Sequence, residues 1–255
     1  MKTLKILFIL IALGLAPALP ASDLAKEKRW ADQIVEFLID GEAVWLDAND
    51  QQFLSIYTEA GTEQVKGGVI LAHGSGAHPN WQDVIYPLRT QLPDRGWSTL
   101  SIQLPILHNE AEYHEYAPLF DEVAPRMEAA VAYLQQQGIE HIVLVAHSLG
   151  SAMSAYYLSA AKQHGISRFV AVGMPGPRED KRMDTLAALK NINIPVLDLY
   201  GSKDLEGILN SAKDRKAAGS HNKNYSQQVV AEADHFFINK NEVLVNSVDN
   251  WISKH

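Results

Sequence analysis

From residue 67 onward, short unbroken apolar runs alternate with amphipathic stretches. The run "GGVILAHG" at 67–74 is of the kind that fills a strand buried on both faces. Similar runs recur at 98–104, 142–146, 169–173 and 196–200. Apolar residues at helical spacing occupy 81–92, 120–137, 149–163 and 182–190. A further helix around 206–218, a strand at 226–231 and a helix at 239–253 close the chain. Upstream, "EAVWLDANDQQFLSIYTEA" alternates apolar and polar side chains around Asp47-Ala48-Asn49-Asp50, which predicts an antiparallel hairpin. Residues 24–40 are amphipathic, a pattern shared by helices and surface arms. A hairpin followed by repeated strand-helix units predicts an α/β fold. Its central sheet would be mostly parallel, of about eight strands, with helices on both faces.

The first residues break this pattern. Lys2 and Lys5 precede an apolar run at 6–15, and Ala16-Pro17-Ala18 and Leu19-Pro20-Ala21 follow. That is the three-part pattern of a cleaved secretory leader. Its apolar run is about ten residues, against roughly 20 for a membrane span, so stable membrane insertion is not expected. The sequence therefore predicts a leader at 1–21, cut after Ala18 or Ala21, and export to a periplasm or the medium. Residues 22–255 then form a single α/β domain. Removing Lys2 and Lys5 takes the formal net charge from −8 to −10, which argues against nucleic acid as a partner. The chain has no cysteine, so disulfides, thiolate metal sites and a cysteine nucleophile are excluded.

One irregular piece is unusually long: "LPILHNEAEYHEYAPLFDEVAP", residues 104–125. Loops of this length in compact domains commonly serve as lids or binding loops, and a partly helical surface excursion is the plainer reading. Tyr113, Tyr116 and Phe120 would line a substrate path if it folded over a site. His108, Glu110, Glu112, His114 and Glu115 show no helical His-x-x-x-His spacing, so no metal or other cofactor is expected.

The candidate chemistry begins at Ala146-His147-Ser148-Leu149-Gly150. A serine on a tight strand-to-helix turn projects its Oγ clear of the sheet, and small residues two before and two after let strand and helix approach. Ser148 could instead simply cap the following helix. A serine nucleophile needs a base, and the base an orienting acid. Of the downstream histidines His164, His221, His235 and His255, only His235 lies between a predicted last strand and the final helix. Asp204, just past the strand "VLDLYG", is the candidate acid; Asp198 within that strand is its main rival, and Asp234 a weaker one. Asp204 could alternatively cap the helix that starts near Leu205. The loop His73-Gly74-Ser75-Gly76 ends another apolar strand. Its Ser75 N–H, or that of Gly76, could join the Leu149 N–H in receiving an oxyanion. Phosphate-loop spacings are missing.

These residues resemble the α/β-hydrolase superfamily across nearly all of the chain past the leader. "HGSGAHPNW", "PLR", "GW", "LSIQLP" and "ADHFF" are similar, more narrowly, to an exported proteobacterial family of α/β-hydrolases with no assigned function. The likeness implies the fold and a Ser148-Asp204-His235 triad, and supplies no substrate. The superfamily usually has glycine where this chain has Ala146; alanine is still small. His147 would pack or orient. The expected activity is serine-dependent acyl transfer on a small-molecule ester or thioester. A peptidase or amidase, and a non-catalytic envelope binding protein, are the alternatives.

Overall fold

The computed structural model describes residues 21–161 and 163–254. The predicted leader and His255 fall outside the described residues, except for Ala21. Eight strands form one sheet: β1 (Glu42–Ala48), β2 (Gln51–Thr58), β3 (Gly67–Ala72), β4 (Trp97–Ile102), β5 (Ile142–His147), β6 (Arg168–Val172), β7 (Val196–Gly201) and β8 (Tyr225–Val230). Their order is β1-β2-β4-β3-β5-β6-β7-β8. β1 pairs antiparallel with β2, and β2 antiparallel with β4; all other neighbours are parallel. The hairpin turn falls at Asn49 and Asp50, both with positive φ (51° and 63°), as a two-residue turn between twisted strands requires.

The parallel strands β3 to β7 bury both faces, whereas the edge strand β8 is only partly covered, and the alternation sorts the buried residues into two layers. Ile70, Leu100, Leu144 and Phe169 face α3 (Val123–Gln136) and α4 (Leu149–Ala160). Val69, Val143, Val170 and Leu197 face α2 (Ile85–Gln91) and α7 (Asn241–Lys254). The hairpin departs from simple alternation, because β2 is buried from Phe53 to Tyr57 on both faces. The cause is α1 (Leu24–Glu36), whose Ala31 and Ile34 cover Leu54 and Ile56. Asp23 caps that helix by accepting the Lys26 N–H.

Helix α1 and the two residues before its cap are also tied to the segment after β4. Glu27 forms a buried ion pair with Arg126 of α3 (2.9 Å), and Arg126 donates to the Gln103 carbonyl. Lys26 donates to the Leu107 carbonyl, and Glu122 accepts from the Ala21 and Ser22 N–H groups. The long 104–125 piece is partly helical, with a 3₁₀ helix over Tyr113–Glu122 running directly into α3. Its Tyr116, Leu119 and Phe120 are buried, so the segment packs against the body. Among the described residues, no helix is long and apolar enough to cross a membrane.

Candidate active site

The turn between β5 and α4 puts Ser148 at φ 53°, ψ −124°, a region that costs an L-residue about 1–3 kcal/mol and persists only when its surroundings enforce it. Enforcement comes from both sides: β5 is fully buried, and nearly all of α4 is buried too. Gly150 lets the helix start this close, since a Cβ there would sit 2.2 Å from the His73 carbonyl oxygen. The Ser148 side chain makes no capping bond to α4. Its Oγ lies 2.9 Å from His235 Nε2.

His235 arrives on the loop after β8. Its Nδ1 lies 2.7 Å from Asp204 Oδ1. A carboxylate only accepts, so the Nδ1 proton points at Asp204 and Nε2 is left to accept from Ser148. Gly173, at φ 60°, makes room for this ring, because a Cβ there would lie 2.9 Å from His235 Cε1. The loop is held by Phe237, fully buried in the core, and by Asp234, which accepts the N–H groups of Phe236 and Ile238. Asp234 is therefore occupied by its own turn. Phe236 stays half-exposed, edge-on to His235.

Asp204 is buried in the turn after β7 and takes the Leu205 N–H (2.7 Å) as well as that of Gly201. It does not cap the following helix α6 (Glu206–Gly219), whose capping residue is Leu205. Bonds from Lys203 N–H to the Ala233 carbonyl and from Glu232 N–H to Ser202 Oγ stitch the acid-bearing turn to the histidine-bearing loop. Asp198 does different work. It pairs with fully buried Arg215 (2.8 Å) and accepts from Tyr225 and Gln227. His164 and His221 bond locally, to Ile166 N–H and the Ala218 carbonyl.

Two further histidines hold the site without touching Ser148 Oγ. His147 donates from Nε2 to the His235 carbonyl (3.0 Å), fixing the loop that carries His235. His73 accepts the Leu104 N–H at Nε2 (2.9 Å) and donates from Nδ1 to the Gly74 carbonyl (2.8 Å). Burial pushes each imidazole down to about 3, so both are neutral connectors. The sequence gives His147 a packing or orienting part and leaves His73 unassigned, because Leu104, which His73 tethers, lies some thirty residues away.

His73 thereby anchors the Gly74-Ser75-Gly76 loop. Among the described residues, no protein group accepts the Ser75 or Leu149 N–H, whereas the Gly76 backbone bonds the Tyr116 hydroxyl. Ser75 and Leu149 therefore each present a free donor beside Ser148, Leu149 at the positive end of α4. A cavity of about 500 Å³ opens beside Ser148. Its wall includes residues 74–77, Trp81, Tyr113, Pro175, Leu205, Ile208 and Phe236. Tyr113 thus lines the cavity as the sequence suggested, while Phe120 belongs to the core. A cleft of about 550 Å³ between α1 and the hairpin contains no paired nucleophile and base.

The family described as "Protein of unknown function (DUF3530)" matches residues 16–119 and 114–254. The chain belongs to that family. Comparison with curated proteins returns no match. Among solved structures, this DUF3530 protein is similar to Est1E from Butyrivibrio proteoclasticus at 12% identity and TM-score 0.64, over 83% of this chain and 98% of that one. It is similar to the Pyrococcus furiosus esterase Pf2001 at 16% and 0.67, over 87% and 95%. An alpha-beta serine hydrolase homologue from Coxiella burnetii aligns at 18% and 0.65, over 83% and 99%. At these identities the likeness establishes the α/β-hydrolase fold.

Proposed function

We propose that this DUF3530 protein is a serine hydrolase that acts by acyl transfer on a small carboxylic ester or thioester, outside the cytoplasm. The observation that carries this reading is Ser148 itself. Its backbone is forced into a costly geometry, its side chain caps nothing, and its Oγ meets a histidine already aligned by a buried aspartate.

In the first step His235 Nε2 takes the Ser148 hydroxyl proton as Oγ bonds to the substrate carbonyl carbon. The carbonyl π pair moves to oxygen, and the Ser75 and Leu149 N–H groups receive that negative charge. Asp204 keeps the imidazole in the accepting tautomer and stabilises its charged form. As the bond to the leaving group breaks, His235 gives it the proton. Water, deprotonated by the same histidine, then attacks the acyl carbon and frees Ser148.

An ester preference draws on two supports. The cavity is of the size that takes a small molecule, and the solved structures of similar fold include proteins described as esterases, and Est1E with ferulic acid bound. Purified protein should turn over short acyl esters faster than matched amides. Ser148→Ala and His235→Ala should each lose nearly all turnover while keeping the wild-type unfolding curve. Faster amide cleavage would replace the esterase reading with an amidase one, and undiminished ester turnover in Ser148→Ala would remove the nucleophile.

A further inference from the structure

The wall of the cavity beside Ser148 contains one permanently charged side chain, Arg178. Its guanidinium stands over the Tyr113 ring, 5.1 Å from the centroid, and one nitrogen donates to the Pro177 carbonyl. Arg95, Arg126, Arg182 and Arg215 all have carboxylate partners, whereas Arg178 pairs with none among the described residues. The nearby Asp180 is taken by Arg182 (2.7 Å), which also holds Asp121 of the 3₁₀ helix (2.9 Å). That bridge and the bond from Thr185 Oγ1 to the Pro175 carbonyl brace the segment carrying Arg178. Tyr113 is no competitor for the charge, since burial keeps its phenol protonated.

An arginine on an aromatic shelf, with most of its donor fork unspent, matches the planar geometry of an oxyacid group. Its setting sharpens the point. Among the described residues, no carboxylate side chain lines this cavity, although the protein as a whole carries a formal net charge of −8. Arg178 is exposed at the rim of the cavity, where its unpaired guanidinium is open to an incoming anion.

We propose that Arg178 is a specificity-determining residue for a substrate that carries, besides its scissile ester, an anionic oxyacid group: a carboxylate or a phosphate. This assignment rests on the Ser148 hydrolase reading. The anion would pair with the guanidinium in the bound complex, lowering KM and contributing little to the chemical step.

The test uses matched esters whose far end is methyl, carboxylate, phosphate or trimethylammonium, placed on the acyl arm in one series and on the alcohol arm in another. In at least one series, wild-type kcat/KM for a carboxylate or phosphate ester should exceed that for the methyl ester by about 10-fold or more, mainly through KM. Which anion leads identifies the oxyacid. Arg178→Gln should abolish the preference by lowering kcat/KM for the anionic ester about 10-fold more than for the methyl ester, while Arg178→Lys should keep part of it. Equal rates for anionic and methyl esters in both series, a preference for the cation, or a preference that survives Arg178→Gln would each overturn the assignment. If wild-type protein cleaves no ester at all, the hydrolase reading fails separately. Calorimetric titration with glutarate and with inorganic phosphate then decides Arg178: saturable binding lost in Arg178→Gln supports it, and binding that is absent or unaffected overturns it.

Discussion

Acid should loosen this fold through the two histidines that hold the site together. His73 and His147 are 1% and 3% exposed, and each titrates at about 3 in the folded protein against a usual 6.5. Between those values the unfolded chain binds protons that the folded one refuses, so stability falls as pH falls. The contribution is complete above about pH 6.5 and is lost progressively down to about pH 3. From pH 7 to pH 5 each histidine costs about 2 kcal/mol, and the pair about 4 kcal/mol, a large part of a typical 5–15 kcal/mol. His147→Gln keeps a side-chain donor for the His235 carbonyl and removes one titrating group. Urea unfolding followed by tryptophan fluorescence at pH 7, 6 and 5 should show wild-type protein losing about 2 kcal/mol more than the variant across that range. Glu27, whose carboxyl is raised by burial despite Arg126, works in the opposite sense, but it is common to both proteins and drops out of the difference. Equal pH dependence in the two proteins would refute the claim that His147 is held neutral by burial.

The two aspartates near β7 should separate cleanly. Asp204→Asn should cut kcat by a factor on the order of 10³–10⁴ with little change in urea midpoint, because it disturbs the His235 tautomer. Asp198→Asn should do the reverse: it strands buried Arg215 at a cost of about 3–5 kcal/mol, while folded molecules keep their turnover. Loss of turnover in the second variant alone would move the acid to Asp198. Gly150→Ala drives a Cβ into the backbone of the strand end that carries Ser75. It should cost about 1–3 kcal/mol, seen as a lowered Tm, and depress turnover as well; an unchanged Tm would contradict the close packing at the turn.

How much of this could be read from the chain depends on the range of the interaction. Ser148 was legible because strand, turn and helix are contiguous, and the small residues Ala146 and Gly150 flag close approach. Asp204 and His235 were legible by their positions after apolar strand runs. Their rivals were not separable by position alone, since what engages Asp198 is Arg215, Tyr225 and Gln227, which reach it from other elements. The tether from His73 to Leu104 was hidden for the same reason. The 3₁₀ helix at Tyr113–Glu122 was obscured because Pro118 interrupts any helical reading, and its order comes from packing of Tyr116, Leu119 and Phe120. The double burial of β2 reflects α1, whose amphipathic sequence said only that it would cover something.

The central claim is that Ser148 is an activated nucleophile. Intact-mass and peptide analysis after treatment with a fluorophosphonate probe measures this directly. The account predicts one adduct, on the peptide containing Ser148, lost in Ser148→Ala and strongly slowed in His235→Ala. Folded wild-type protein that remains unlabelled, at probe concentrations that modify other serine hydrolases, would contradict it.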